Sequence, residues 1–162
     1  MRNQGRNKGA LQRSRLAPVV LFAVCLVTPV TGCQKKEQTQ EPAPVDPQAE
    51  TQGLEVCEKW LSMIDGDDWA GSWDEATDYF KRSATKEVWG DRLNAARSPL
   101  GALKNRSLRE NRYTTILPGA PDGEYVHIEY DSVFENRADI IETIILAKDK
   151  KGTWRVSGYF LR

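Results

Sequence analysis

The hydrophobic pattern of this chain changes once, at Gly101, and that change limits the fold class. Before Gly101, apolar residues recur at three- and four-residue intervals, which is the spacing of one face of a helix. After Gly101, apolar and polar residues alternate in short runs separated by turn residues, a pattern typical of half-buried strands. A block of helices followed by a block of strands predicts an α+β domain.

Three helices are predicted before Gly101. The first runs from Leu54 until Asp65-Gly66-Asp67 ends its pattern. The second carries an apolar stripe from Trp69 to Phe80, and the third ends at about Arg97, before Ser98-Pro99. The candidate N-cap residues are Asp67 or Asp68 for the second helix and Ser83 or Thr85 for the third.

Four strands are predicted after Gly101, over residues 102–117, 124–135, 138–148 and 153–161. The segments between them are rich in Pro, Gly, Asn and Asp, which favour turns. Neighbouring strands that short turns connect must be antiparallel. We therefore expect a four-stranded antiparallel meander with three N-terminal helices packed on one face, in a cone-like α+β arrangement.

The first 32 residues have the three parts of an export signal. A basic start is followed by an apolar run from Leu16 to Val27 and then by the small residues Thr31 and Gly32. A membrane-spanning helix needs about 20 apolar residues, and this run has 12. Residues 1–32 are therefore predicted to be a cleaved signal peptide, and not a permanent membrane anchor.

The segment Val30-Thr31-Gly32-Cys33 resembles the lipobox of bacterial lipoproteins. The resemblance implies cleavage between Gly32 and Cys33, a diacylglycerol on the Cys33 thiol, and a further fatty acid such as palmitate on the new amino terminus. Two or three acyl chains give stable anchoring, whereas one is marginal. The alternative is an ordinary cleaved signal with a chance Cys. Because Gln34 follows Cys33, the resemblance implies the outer membrane, facing the periplasm, if the organism has two membranes.

Residues 33–53 are predicted to be the lipidated Cys33 and a disordered tether. Residues 34–52 are mainly Gln, Glu, Thr, Lys and Pro, with almost no large apolar side chain. Such a segment buries too little surface to offset its conformational entropy. One globular domain is then expected over residues 54–162.

Composition excludes several classes of function. The full chain is formally neutral, but its five basic residues before Cys33 leave with the signal peptide, so the remainder has 18 Lys and Arg against 23 Asp and Glu. Without a basic cluster to neutralise phosphates, nucleic-acid binding is not expected. Cys57 is the one Cys in the predicted domain and is expected to be buried and unreactive. With a single His besides, no zinc site, other metal site or cofactor is expected.

A set of short motifs in the predicted domain resembles a bacterial family known as domain of unknown function 4019. The resemblance covers nearly all of residues 54–162. The motifs are Trp60 to Asp67, Ser72 to Ala76, Trp89, Arg97 to Gly101, Pro121 to Val126 and Trp154 to Phe160. The order of elements is also similar to the cone-shaped nuclear-transport-factor-two-like superfamily. That superfamily includes isomerases, dehydratases and non-catalytic binders, so the fold does not select a function.

Asp65, Tyr79 and Tyr130 are the candidate polar residues of a cavity between helices and sheet. Asp65 resembles in position the catalytic carboxylate of isomerases with the cone fold, but it also suits a helix-terminating turn. The tyrosines suit a cavity lining and a core rim equally. No catalytic constellation is complete, so an enzyme is not favoured.

Arg97, Arg106 and Arg109 are candidates for a basic surface site. Together with neighbouring cations they are predicted to form a ridge that recognises an anionic lipid headgroup, envelope polymer or acidic protein. The alternative is a solvated edge in which these cations pair with Glu87, Asp91 and Glu110, where exposed ion pairs contribute little.

Two other groups of residues are predicted to be structural. The five tryptophans occupy helical stripes or an alternating strand, and we expect them mainly in the core. His127 shares a side of its strand with Glu129 and Asp131, so we expect it at the solvent or an edge.

Three classes of function follow from these observations. The favoured one is a membrane-anchored, non-catalytic binding or accessory module of the bacterial cell envelope, with the membrane lipid and an envelope protein or polymer as partners. The alternatives are a small-ligand binder or isomerase-like or dehydratase-like enzyme that uses the cone cavity, and a structural envelope lipoprotein.

Overall fold

A computed structural model describes residues 46–162, which form an α+β domain with helices before a four-stranded antiparallel sheet. The predicted signal peptide, the lipobox with Gly32 and Cys33, and the tether up to residue 45 lie outside the described residues. The elements are α1 Pro47–Asp65, α2 Trp69–Asp74, α3 Asp78–Ser83, α4 Lys86–Arg97, a 3₁₀ turn Ser98–Leu100, β1 Leu103–Thr114, β2 Tyr125–Phe134, β3 Ile140–Lys148 and β4 Trp154–Leu161.

The first helix begins seven residues before the predicted start at Leu54, so residues 47–53 are helical and not part of a tether. Asp46 caps α1 by accepting a hydrogen bond from the backbone N–H of Ala49 at 3.0 Å, and Pro47 occupies the first helical position. Ala49 and Gly53 are buried. A Cβ at position 53 would lie 2.9 Å from the side chain of Val126, so Gly53 lets α1 approach the sheet closely.

The predicted second helix is divided into α2 and α3, which gives four helices in place of three. The division occurs at Thr77, whose backbone is extended. The Thr77 N–H donates to the carbonyl of Val156 in β4 at 2.8 Å, and its hydroxyl accepts from the N–H of Phe80 to cap α3. A hydrogen bond to the sheet thus replaces a turn of helix. The other caps agree with prediction, since Asp68 caps α2 and Thr85 caps α4.

The sheet has the order β1-β2-β3-β4, with every neighbouring pair antiparallel, so β1 and β4 are its two edges. The first strand ends at Thr114, shorter than the predicted 102–117. Inward-facing residues of the four strands pack against α1, α3 and α4 on one face. The sheet includes register shifts in β1 beside Leu108 and in β4 opposite Ile145, which are sites where a strand can bend.

Tryptophans fill much of the space between helices and sheet, as the sequence predicts. Trp60, Trp89 and Trp154 are buried, and Trp69 and Trp73 pack against the same core. The indole N–H groups of Trp60 and Trp89 both donate to Ser72, the first to its carbonyl at 2.8 Å and the second to its hydroxyl at 3.0 Å. These hydrogen bonds satisfy polar groups that burial would otherwise penalise.

Within residues 46–162, none of the helices combines the length and the apolar character that crossing a membrane requires.

Candidate functional site

Four charged residues meet inside the domain, at the end of the sheet where β1 begins, β2 ends, β3 begins and β4 ends. Asp65 is the last residue of α1 and Arg97 the last residue of α4, while Arg106 and Glu142 come from β1 and β3. We call these four residues the ionic network. Ser132 of β2 and Tyr159 of β4 add their hydroxyl groups to it.

Glu142 is the centre of the ionic network and is fully buried. Its Oε1 accepts hydrogen bonds from Arg97 Nη1 at 2.9 Å and from the Tyr159 hydroxyl at 2.6 Å. Its Oε2 accepts from Arg106 Nε at 2.5 Å and from the Ser132 hydroxyl at 2.7 Å. A carboxylate has about four acceptor sites, so these four hydrogen bonds use its whole capacity.

Asp65 closes the network on the solvent side, where its side chain is 25% exposed. Its Oδ1 accepts from Arg97 Nη2 at 2.5 Å and from Arg106 Nη2 at 3.1 Å, and its Oδ2 accepts from Arg106 Nη1 at 2.6 Å. Each arginine therefore bridges both carboxylates. Two positive charges face two negative charges, so the network has no formal net charge.

Aromatic rings support both guanidinium groups. The Cζ atom of Arg97 lies 4.8 Å from the centre of the Phe134 ring, and that of Arg106 lies 5.9 Å from the centre of the Tyr130 ring. Cations at such distances from an aromatic face are attracted by its quadrupole. The rings and the carboxylates together hold each arginine side chain in one position.

The surroundings shift the pKa of Asp65 and the pKa of Tyr159, whose hydroxyl group bonds to the network. Partial burial alone would raise the pKa of Asp65, but the hydrogen bonds and charges of Arg106 and Arg97 outweigh it and lower that pKa. Burial raises the pKa of Tyr159 far above its usual value, and the charge of Glu142 adds to the shift. At neutral pH Asp65 is therefore ionised and Tyr159 is a neutral hydrogen-bond donor.

This geometry corrects two predictions about site residues. Asp65 does not project into an open cavity, because both of its oxygens are held by guanidinium groups. Arg97 and Arg106 do not form an exposed basic ridge, because they are largely buried and paired with Asp65 and Glu142. The ion pairs of the network connect α1 and α4 to β1 and β3.

Arg109 is separated from the other two arginines. It lies at the register shift of β1 and is about half exposed on the opposite face of the sheet. There its Nη1 donates to Asp131 Oδ1 at 3.0 Å, and its Nε lies 3.7 Å from Glu129 Oε2. Side chains alternate between the two faces of a strand, so the spacing of three residues directs Arg106 and Arg109 to different faces.

The two candidate tyrosines also have different surroundings. Tyr130 is buried in the interior. Burial raises the pKa of the Cys57 thiol to about 12. The Tyr130 hydroxyl lies beside this thiol and has a smaller effect in the opposite direction. The prediction of a buried Cys57 is confirmed. Tyr79, in contrast, is 51% exposed on α3 and does not reach the interior.

His127 faces outward on β2 between two carboxylates, and it is more buried than the predicted solvent or edge position suggests. Its Nδ1 lies 3.4 Å from Glu110 Oε2, and its Nε2 lies 3.7 Å from Glu129 Oε1. One atom from each of these three residues lies within 4.8 Å of the others, so the group can be considered for a metal ion. However, Arg162 Nη2 already donates to Glu129 Oε1 at 2.5 Å, and this positive charge opposes cation binding.

Two connected grooves open on the surface near β4. The larger, of about 900 Å³, lies on the outer face of the sheet and extends to α3 and the loop of residues 117–121. The smaller, of about 500 Å³, lies between β4 and the helices α3 and α4. Tyr79, Ser157, Gly158 and Phe160 line both grooves.

Glu142 is the important residue that sequence reasoning missed. It occupies an inward position of β3, between the inward-facing Ile140 and Ile144. A single acid in the inward register of an apolar strand signals a buried charge, and a buried charge requires a cationic partner. That signal was present, although the sequence does not identify Arg97 and Arg106 as the partners.

Comparison with known proteins supports the assignment that the motifs suggested. The family described as "Protein of unknown function (DUF4019)" matches residues 56–159, which is more than half of the chain. No curated protein matches the chain. Because the family model covers residues 56–159, the chain belongs to the protein family of unknown function DUF4019.

Proposed function

We propose that this protein is a lipid-anchored, non-catalytic binding module of the bacterial cell envelope. The lipobox-like segment Val30-Thr31-Gly32-Cys33 supports acylation of Cys33 and attachment to a membrane. In an organism with two membranes, Gln34 favours the periplasmic face of the outer membrane. The domain that follows then acts by recognising an envelope protein or polymer at its surface.

One observation carries the non-catalytic part of this proposal: the charged groups that converge in the interior are already bonded to one another. Glu142 has four hydrogen-bond donors around it, and Asp65 is bridged by two guanidinium groups. A general base needs a free lone pair within reach of its substrate. An isomerase-like use of Asp65 would first have to break its bonds to Arg97 and Arg106.

The cone-shaped, nuclear-transport-factor-two-like architecture belongs to the same proposal. The order of four helices and a four-stranded meander supports it. If the domain has this cone-shaped architecture, the ionic network occupies the space between helices and sheet that a ligand would enter. Recognition would then use the outer surfaces of the domain.

The early start of α1 brings the domain closer to the proposed anchor. Only 13 residues separate Cys33 from Pro47, and a fully extended chain of that length reaches at most about 45 Å. The domain would therefore act close to the membrane surface.

The anchor is tested by growing cells that express the full chain with an alkyne analogue of palmitate. The wild type is expected to take up the label and to sediment with membranes, because Cys33 is acylated. The variant Cys33→Ser should lose both properties, while Cys57→Ser should keep them. An unlabelled wild-type protein would end the anchoring proposal.

A further inference from the structure

The strand β4 is an open edge of the sheet. Arg162 and Ile141 exchange both backbone hydrogen bonds, at 2.8 and 3.1 Å, so Leu161 and Tyr159 stand at the alternate positions of this antiparallel pair. At those positions the N–H and C=O groups point away from β3. No hydrogen bond within residues 46–162 uses them, whereas the carbonyl of Val156 is already bonded to the N–H of Thr77.

The two edges of the sheet differ in how they are protected. The β1 edge carries Lys104, Arg109 and Arg112, and the side chain of Glu50 accepts from the backbone N–H of Tyr113 at 3.0 Å. Charged residues of this kind prevent sheets from pairing edge to edge. Residues 156–161 of β4 have no charged side chain. An edge left uncharged and unpaired is suited to accept another strand.

Aromatic and apolar groups flank this open edge on both sides. The smaller groove, between β4 and the helices, is lined by Ala84, Trp89 and Leu93. On the outer face the Phe160 ring lies against Gly158, where a Cβ would come within 3.0 Å of it, and it is 58% exposed. The side chains of an added strand alternate between its two faces, so they would contact the groove on one side and Phe160 on the other.

Positive charge surrounds the same region of a domain that is acidic overall. Arg82, Arg92, Lys150 and Lys151 lie along the two grooves. Among residues 46–162, none of these four has a carboxylate within 4.0 Å. The acids on the rim are Asp74 and Asp149, which pair with Lys86 and Arg155, and Asp78. The uncompensated charge along β4 is therefore positive.

We propose that the β4 edge binds an extended, acidic segment of a partner polypeptide as a fifth strand of the sheet. This inference rests on the proposed binding function and names the class of its partner. Backbone hydrogen bonds to Tyr159 and Leu161 hold the segment, Tyr79 and Phe160 contact its apolar side chains, and the four cations attract its acidic ones.

Two other occupants are disfavoured. A second copy that paired β4 with β4 would bring the same uncompensated cations together, and like charges at an interface oppose association. The chain's own N-terminal segment enters the domain at the opposite edge, where the carbonyl of Glu50 in α1 accepts from Asn111 of β1 at 3.1 Å. Residues 34–45 of that segment carry Lys35 and Lys36 against Glu37 and Glu41, so they have no net negative charge.

The test uses the full mature chain in detergent micelles and two displayed libraries of ten-residue peptides. In one library Glu alternates with any residue, and in the other Lys does so. We expect enrichment from the Glu library only. Synthetic copies of the enriched peptides are then measured by fluorescence anisotropy, with and without N-methyl groups at alternate residues. N-methylation preserves every charge but removes N–H donors, and only one of the two alternate sets of residues faces β4. When each set is methylated in turn, one of the two peptides should bind at least about tenfold more weakly.

Variants locate the site. The double variant Arg92→Glu/Lys151→Glu is expected to weaken binding by about tenfold or more, whereas Lys104→Glu on the β1 edge changes it by less than about twofold. Both cations of the double variant are exposed, so their replacement leaves the core unchanged. Hydrogen exchange should show the amides of Tyr159 and Leu161 slowed by the peptide.

Three results would overturn the proposal: equal enrichment from both libraries or from neither, binding that survives N-methylation of both sets in turn, or protection of amides elsewhere than β4. Concentration-dependent dimers that protect the same two amides would assign the edge to a second copy and would also overturn it. Peptide binding in detergent does not require acylated Cys33, so its failure is distinct from a failure of the palmitate-labelling experiment.

Discussion

The space between the helices and the sheet is filled by apolar side chains at one end and by charged side chains at the other. At one end, Val126, Leu146, Trp154 and Val156 form an apolar core that excludes water by close packing. At the other end, the ionic network fills the interior with charged groups. The apolar end depends on volume, and the ionic end depends on charge balance and complete hydrogen bonding.

This difference separates the effects that mutations should have. At the ionic end a change that preserves shape but removes one charge leaves a buried guanidinium group without its counter-charge. The apolar cluster contains no charged side chain, but one additional methyl group there requires space that the packing does not provide. Substitutions that alter charge alone or volume alone therefore distinguish the two ends.

The largest effect is expected from Glu142→Gln, which preserves size and removes the charge at the centre of the network. Within residues 46–162, Asp65 would then be the one carboxylate left in contact with Arg97 and Arg106. Gln cannot accept all four hydrogen bonds that Glu142 now accepts. The free energy of unfolding, measured by urea denaturation at neutral pH, should fall by about 3–5 kcal/mol.

The matched control is Glu135→Gln, which removes the same charge from an exposed pair with Lys104 at 3.9 Å. Exposed ion pairs contribute about 0–1 kcal/mol, so this variant should unfold almost as the wild type does. If both variants had the same small effect, the network would not be the charge-dependent end of the interior.

A smaller loss is expected from Gly53→Ala at the apolar end. The new methyl group would lie 2.9 Å from the Cβ and both Cγ atoms of Val126, and the backbone fixes the position of that Cβ. Overpacking of this kind costs about 1–3 kcal/mol, against a gain of about 1 kcal/mol in helix propensity. The midpoint of thermal unfolding should therefore decrease.

Gly90→Ala in α4 provides the comparison for this change. Its nearest contact would be Trp69 at 3.9 Å, an ordinary van der Waals distance. The same substitution should there leave the midpoint unchanged or raise it, because only the gain in propensity remains. A stabilised Gly53→Ala variant would show that α1 can move away from the sheet without loss.

The two ends also differ in how far the sequence predicts them. Periodicity identifies the apolar end, since Val126, Leu146 and Trp154 stand at the expected inward positions. The sequence does not predict the start of α1, because its buried residues Ala49 and Gly53 are small. The hydrophobic pattern identifies a helix from its large apolar residues. The division between α2 and α3 was missed because it depends on a hydrogen bond from Thr77 to Val156, which are distant in sequence.

The ionic end was only partly predictable. Asp65, Arg97 and Arg106 were singled out as separate features, a cavity acid and a surface ridge, because spacing along the chain does not show which charges meet. Arg97 and Glu142 are 45 positions apart, and Arg106 and Asp65 are 41 apart. Only the packing of α1 and α4 against the sheet brings these residues together and turns a predicted site into a structural connection.

The smallest effect concerns acid stability and again contrasts the two ends, because the apolar cluster contains no carboxyl group and the ionic end contains Asp65 and Glu142. Arg106 and Arg97 lower the pKa of Asp65 below the value of about 3.9 that it has in an unfolded chain. Asp65 therefore stabilises the fold above about pH 4, and this contribution is lost as the pH falls through its lower, folded-state pKa. One carboxyl group changes the slope of the free energy of unfolding against pH by at most about 1.4 kcal/mol per pH unit.

Urea unfolding between about pH 2 and 7 should give a shallower acid slope for Asp65→Asn than for the wild type. Asp139→Asn, at an exposed turn beside Arg137, should leave the slope unchanged, and equal slopes for all three proteins would remove Asp65 from the charge balance of the network.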